Sequence, residues 1–289
     1  MAIVVPFVTR PSVVARLAGV IEVLDGEGYD TIVCNVETPA QRDRQIHMLA
    51  SGHRAAGVVV ISMRLSAAQF AELAEAGVHV VLVDVPFRGV PHTVVDDVQG
   101  GMLATNHLIA LGHRRVGFMG DTGDWGLGFS SASDRLRGYR RALAMAGAPS
   151  DLALVSRGSR GFAAAADMAL RLFRLPEPPT AIFAASDIQA MGVLSAAEAA
   201  GLPVPGELSV IGFDDIEMAA FVGLSTVRQP LRESGARGAA RLCALLRGGS
   251  VRPLRETLPL EVIARRTTST PGARSLSSQF TALPERAPP

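Results

Sequence analysis

One pattern constrains this chain more than any other. Short runs of β-branched residues alternate with amphipathic stretches of helical length, and the whole alternation occurs twice. The first set of runs lies at residues 2–5, 31–34, 57–61 and 79–83. The stretch after Pro11 places Val13, Val14, Leu17, Val20, Ile21 and Leu24 at helical spacing and stops at Gly26 and Gly28. Further helices are expected at 40–51, 66–76 and 101–111, and each of these stops at or just before a glycine. A Pro/Gly-rich link with a short extended piece at 93–95 precedes the last of them. The second set runs through strands at 115–119, 152–155, 180–184 and 208–213, with helices at 134–146, 161–173 and 187–200. Helix-length segments between strands imply right-handed crossovers and parallel sheets. Strands that are apolar almost without interruption imply sheets covered on both faces.

Eight strands in two sets of four therefore predict an α/β chain of two similar lobes with parallel sheets. A helix at 230–247 and an extended piece at 254–264 complete the lobes, and residues 271–289 read as a loose Ser/Pro/Arg-containing tail. A length of 289 residues suits two ordinary domains. A hydrophobic share of 48% against 19% charged supplies the core that such lobes need.

Composition also removes several functions. The net charge of +1 argues against this chain alone gripping nucleic acid strongly. All 28 basic side chains are arginine, so neither a Schiff-base lysine nor a phosphate-loop lysine is available. Cys34 and Cys243 form no paired motif and read as buried apolar residues in a reducing compartment. The start MAIVVPFVTR lacks a basic n-region, and no apolar stretch approaches a membrane span. A cytoplasmic location is expected. H-E-x-x-H, G-x-G-x-x-G and G-x-S-x-G are all absent, and no Cys/His cluster suggests a metal. No cofactor and no catalytic residue is expected. His53 and His113 each stand in Gly-His-Arg at an expected helix end, where a cation suits the helix dipole.

What remains is polar chemistry at strand ends, where open parallel sheets bind ligands. The segment LSVIGFDD at 208–215 ends in Asp214 and Asp215, and Asp84 follows the fourth strand. Thr9 and Arg10 follow the first strand, Asp96, Asp97 and Gln99 open a helix, and Arg135 lies beyond a glycine-rich loop. Ser186 and Asp187 follow the seventh strand. Carboxylates with an arginine can bracket hydroxyl groups. For Asp187 and Asp215 the competing role is a helix cap, and for Arg135 it is a solvated helix face.

In this order the residues resemble the effector-binding core of the LacI/GalR family of bacterial transcriptional regulators. The pieces that carry the resemblance are VVP at 4–6, EGYD at 27–30, AAGVVVIS at 55–62, VVLVD at 80–84 and VDD at 95–97. They continue with ATNHLIALGHRRVGFMG at 104–120, RLRGYRRAL at 135–143, PTAIFAASDIQAMGVLSAAEAAGLPVPGELSVIGFDD at 179–215, STVRQP at 225–230 and RRTTSTP at 265–271. The resemblance implies a periplasmic-binding-protein-like fold (type I) of two Rossmann-like lobes with parallel sheets, joined by three crossovers, with 1–111 and 228–258 in the first lobe and 112–227 and 259–270 in the second. A small effector, a sugar or sugar-like molecule, would lie in the cleft, and the chain would be a homodimer. Contacts carried over to this sequence are Arg135, Ser186, Asp214 and Gln229, with Asp84, Asp96, Asp97 and Gln99 lining the same mouth; Arg10 joins the candidates from its place after the first strand. The helix at 230–247, with Leu231, Leu242 and Leu245, is a candidate dimer face, with packing inside its own lobe the equal alternative. The alternative is the solute-binding protein of a sugar importer.

The sequence departs from that pattern at identifiable places. Ser12 stands where an aromatic is frequent, and Ser186 replaces an asparagine. The segment 156–161 is arginine-rich, which would suit an anionic effector near Arg157 or Arg160. The loop at 120–134 is long and carries Trp125 and Phe129, which are expected to reshape or cover the pocket. A helix-turn-helix with its hinge precedes such cores in the family, but residues 1–60 contain no basic DNA-reading helix. A truncated regulator is expected, with operator DNA a partner only through that absent module.

Overall fold

A computed structural model of the chain describes residues 1–52, 55–123 and 126–272. His53, Trp125 and most of the expected tail lie outside the described residues. The chain divides into two compact units. Among the described residues the first comprises 1–97, 123, 126–131 and 228–261, and the second 98–122, 132–227 and 262–272. The expected boundary at 111/112 thus differs from the observed passage at Asp97/Val98. Residues 123 and 126–131, expected with the second lobe, fall in the first unit.

The first unit is built on β1 (Ala2–Pro6), β2 (Ile32–Val36), β3 (Gly57–Ile61), β4 (His79–Val83), β5 (His92–Val94) and β11 (Arg255–Thr257), in the order β11-β5-β4-β3-β1-β2. β1 pairs in parallel with β2 and β3, and β4 with β3 and β5. Helices α1 (Pro11–Gly26), α2 (Pro39–Ser51), α3 (Ala67–Glu75) and α9 (Leu231–Leu246) cover it. α2 and α3 each open on a capping box, from Thr38 with Gln41 and from Ser66 with Gln69, and these set where the helices begin. One apolar layer holds Val4, Val58, Val60 and Ile46, and the other holds Ile3, Val59, Val81, Val20 and Leu242. That alternation along each strand is why the runs read as continuously apolar.

The second unit repeats the order with β6 (Val116–Asp121), β7 (Val155–Gly158), β8 (Ala181–Ala184), β9 (Ser209–Asp214), β10 (Ser225–Arg228) and β12 (Glu261–Ile263), arranged β12-β10-β9-β8-β6-β7. α4 (Asp97–Ala110), α5 (Ser131–Met145), α6 (Phe162–Phe173), α7 (Asp187–Ala199) and the short α8 (Glu217–Phe221) accompany it. Tyr139 is buried against Phe118 with its hydroxyl donating to the Val116 carbonyl at 2.7 Å, and Phe118 meets Phe183 edge-on at 5.4 Å. Each sheet reverses its strand order beside its first strand, the position where doubly wound sheets place ligands.

Several expectations require correction. The sheets have six strands each rather than four, because 92–94, 225–228 and the two halves of 254–264 also pair. The strand expected at 152–155 begins only at Val155. Asp151 accepts from the Ala153 amide and winds 152–154 into a 3₁₀ turn instead. α9 turns its apolar side into its own unit. Leu242 is buried, and Gly19 of α1 and Gly235 of α9 let the two backbones touch. The apolar face expected to join two copies is thus already used. Cys34 and Cys243 are buried and form no disulfide among the described residues.

Candidate functional site

Five non-glycine residues among those described have positive φ, and all five stand at the carboxyl ends of strands. Phe7 (φ 46°) follows β1, Ser62 (53°) follows β3 and Asp84 (70°) follows β4, while Asp214 (119°) ends β9 and Asp215 (56°) comes next. Side chains other than glycine hold such conformations only where the surroundings over-determine them, and such strain gathers at functional sites.

In the first unit two of the strained residues, Ser62 and Asp84, meet at a buried arginine. Arg16 lies on α1 in register with Val13, Val20 and Leu24, on the face that packs on the sheet. One of its nitrogens, Nη2, donates to Asp84 Oδ1 at 2.7 Å and to Gln229 Oε1 at 2.8 Å. The Ser62 hydroxyl donates to the other oxygen of Asp84 at 2.6 Å. Both carboxylate oxygens of Asp84 are therefore engaged inside the unit, so it is not the open acceptor its position suggested. Arg10 is the N-cap residue of α1 and lies over the Phe7 ring at 4.2 Å, with Phe129 on the same ring at 6.3 Å. Asp97 opens α4, where its charge suits the helix dipole, and Gln99 is exposed one residue beyond Val98 on that helix. The residues around Phe129 are anchored by Leu127, which is fully buried and whose carbonyl accepts from the Arg64 amide at 2.9 Å.

In the second unit the centre is Arg135, on α5. Its guanidinium lies 3.5 Å from the centre of the Phe213 ring and donates to the Ala185 carbonyl at 2.6 Å. It also sits 3.8 Å from Asp214. Arg135 is thus buried, and the solvated helix face is ruled out as its setting. Gly101 of α4 and Gly138 of α5 permit this approach, since a Cβ at Gly101 would lie 2.1 Å from the Arg135 carbonyl oxygen. Ser186 is the N-cap of α7, and its hydroxyl accepts from the Gln189 amide at 3.3 Å.

Neither competing helix-cap role holds for the acids. Asp187 is fully buried and accepts from the Thr226 hydroxyl at 2.6 Å and the Ile216 amide at 2.9 Å, tying α7 to β10 and the turn after β9. Burial pushes its carboxyl well above the ordinary range, and the neighbouring Asp214 charge pushes in the same direction. Asp215 pairs with Arg265 at 2.7 Å. Arg160 pairs with Asp121 at 2.6 Å, and Arg157 donates to the Asp121 carbonyl and to Ser133.

The histidine expected as a helix-end cation is instead buried. His113 Nε2 donates to the Ser269 carbonyl at 2.9 Å and Nδ1 lies 2.9 Å from the Thr180 hydroxyl, pinning the segment at 267–269 across β8 and β9. Burial lowers its pKa below the usual histidine value, so it sits there as a neutral ring. Among the described residues no group of three potential metal ligands occurs, and no helix is long and apolar enough to cross a membrane. The features missed from the sequence were Arg16, Ser62 and Thr226. Arg16 alone carried a signal, as a charged residue in phase with the buried side of an apolar helix.

Comparison with known proteins adds a second line. Residues 105–268 match the family model described as a periplasmic binding protein-like domain. The chain is 31% identical over 276 residues to the HTH-type transcriptional regulator GalR of Salmonella typhimurium, covering 94% of this chain and 79% of that protein. Other curated relatives align over as much as 80% or as little as 53% of their own length. A solved LacI-family transcriptional regulator from Mycobacterium smegmatis is 30% identical with a TM-score of 0.77, covering 93% of this chain and 99% of that one. The structure of a transcriptional regulator CelR–cellobiose complex is 28% identical with a TM-score of 0.81, covering 92% and 84%. These relatives are transcriptional regulators, not enzymes.

Proposed function

The chain belongs to the LacI/GalR family of transcriptional regulators, and from that membership we propose that it is the effector-sensing core of such a regulator. The effector is a small sugar or sugar-like molecule, and its binding alters DNA binding by a helix-turn-helix module. The reading rests above all on Arg135, a buried guanidinium fixed by Phe213 and the Ala185 carbonyl beside the strained Asp214. A cation and a carboxylate held rigidly at a strand end supply the donor and the acceptor that a polyhydroxylated ring needs. Ser186 stands in the same unit as this pair, and Gln229, Asp97, Gln99 and Arg10 are further candidate contacts. The likeness to a cellobiose-bound regulator supports a sugar as the ligand class.

The working form is a cytoplasmic homodimer that positions two DNA-binding modules on adjacent half-sites. Val14 and Ile21 on α1 and Ile32 and Val33 on the edge strand β2 remain exposed, and they offer the apolar surface that α9 does not. A monomer in sedimentation at micromolar concentration would remove the dimer from the proposal. The importer alternative draws no support from relatives, which are regulators at comparable coverage.

The test is a thermal-shift screen of the chain against sugars, sugar phosphates and nucleosides. A ligand that binds only the native state at a hundredfold its dissociation constant adds about 2.7 kcal/mol. The expected result is a stabilising sugar whose effect disappears in Arg135→Gln and Asp214→Asn. A stabilising ligand insensitive to both substitutions would overturn the assignment of the site.

A further inference from the structure

The buried guanidinium of Arg16 is not explained by ligand contact or by ordinary core packing. It occupies a core-facing position of α1, and among the described residues its Nε finds no hydrogen-bond partner. A buried charge with an unsatisfied donor is a poor way to stabilise a fold, and a well-packed apolar side chain is often as good or better. The position therefore calls for an account in terms of what the arginine holds.

It holds the chain at a particular point. The passage from the second unit to the first falls between Val227 and Arg228, and Gln229 is the second residue after it. Pro230 follows, and α9 begins at Leu231, whose amide donates to the Gln229 carbonyl at 2.8 Å. A proline has no amide proton to anchor this turn, so the Gln229 side chain is a principal fixing point. That side chain is almost fully buried, and its Oε1 accepts from Arg16 Nη2. The same nitrogen grips Asp84, whose backbone is held at positive φ and whose second oxygen is held by Ser62, also at positive φ. One nitrogen thus ties the crossover to the ends of β3 and β4.

We propose that Arg16 is a positioning residue that fixes Gln229, and through it the crossover at 227–231, against the strained carboxyl ends of β3 and β4. Asp84 and Ser62 orient the guanidinium, and Gln229 is the group through which it acts. In a sensor, a crossover is a covalent path by which a change in one unit reaches the other, and signalling needs an element with two arrangements. The Arg16–Gln229 bond would bias such an element. It is a charge-assisted contact whose loss loosens the turn without dismantling the sheet. Only this signalling consequence rests on the effector-sensing reading; the positioning itself requires neither effector nor DNA.

The experiment is native-state hydrogen exchange on the whole chain, comparing wild type with Arg16→Met, Gln229→Met and the double variant. A hydrogen bond to a charged group is strong enough that its loss should speed local opening about tenfold to a hundredfold. The expected result is that acceleration at the Leu231 and Ser234 amides in both single variants, with the β3–β4 ladder unchanged in Gln229→Met, which leaves the Arg16–Asp84 pair in place. The double variant should be no faster than either single one, because both cut the same contact. Additive acceleration in the double variant, a uniform increase across the first unit, or no change at Leu231 and Ser234 would each overturn the proposal. Should Arg16→Met fail to fold, Gln229→Met decides alone, since it leaves the Arg16–Asp84 pair in place. Failure here with a sugar still binding in the Arg135-dependent manner leaves the sensing function standing, and the reverse outcome separates them equally well.

Discussion

Gly235→Ala should destabilise the chain, although helix propensity alone predicts the opposite. Gly235 lies within α9, where exchanging glycine for alanine is ordinarily worth about 1 kcal/mol in favour of the helix. Here a Cβ would stand 2.0 Å from the Arg16 carbonyl oxygen. Carbon–oxygen contacts between packed backbones settle at about 3.3 Å or more, so α1 and α9 must separate by roughly 1.3 Å. The obstacle is backbone, and no rotamer change relieves it. A gap of that size forfeits about a quarter to a half of each van der Waals contact along the crossing. Overpacking of this kind costs about 1–3 kcal/mol, occasionally more. With the propensity gain set against the upper end, a net loss of about 2 kcal/mol remains. For a chain of this size that corresponds to a fall in Tm of roughly 4–8 °C. The control is Gly26→Ala, at the last position of the same α1, where nothing lies within 4 Å of the added methyl. It should stabilise by up to about 1 kcal/mol. Calorimetry of the two variants beside wild type decides the matter, because the expected signs are opposite. A Gly235→Ala chain as stable as wild type, or more so, would refute the close crossing of α1 and α9.

Three further outcomes follow from the second unit. Asp187 has a raised native pKa, so the native state holds its proton more tightly than the unfolded chain does, and stability from this site is lost as pH rises past the unfolded value of about 3.9. Asp187→Asn should therefore flatten the fall in urea midpoint between acid and neutral pH; an unchanged slope would show that the carboxyl is not titrating as described. His113 has a lowered native pKa, which gives stability that is complete above about pH 6.5 and lost as pH falls toward the native value. Melting curves from pH 7.5 to 5 should show that loss in wild type and much less of it in His113→Asn. Arg135→Ala removes the stack on Phe213, the bond to Ala185 and the cation 3.8 Å from Asp214; we expect a loss of about 3–5 kcal/mol in stability, read from denaturant midpoints, and a loss below about 1 kcal/mol would mean that the site is looser than its geometry implies.

The parts of this molecule that were legible in the sequence are those fixed by local periodicity. Apolar runs bounded by glycines placed β1, β3, β4, β6, β8 and β9 within about two residues, because a strand covered on both faces can contain little else. Where a local hydrogen bond competes with the pattern, the reading slipped. Asp151 winds 152–154 into a turn and delays β7, and no periodicity encodes that choice. The short strands β5, β10, β11 and β12 are too brief for a period, and pairing alone defines them. The candidate site divides in the same way. Asp214, Arg135 and Ser186 could be found by position because a strand end or a helix start announces them. The direction in which each polar group points could not. Asp84 and Asp214 occupy equivalent positions after the fourth strand of each set, yet Asp84 is spent on Arg16 and Ser62, while Asp214 stands beside a guanidinium that is itself held by an aromatic ring. A single substitution in phase with the core of α1 decides that difference. The partners of a strand-end acid are thus set as much by the helix packed behind it as by the strand that carries it. A reading of site residues gains most from asking which buried positions of the neighbouring helices are polar.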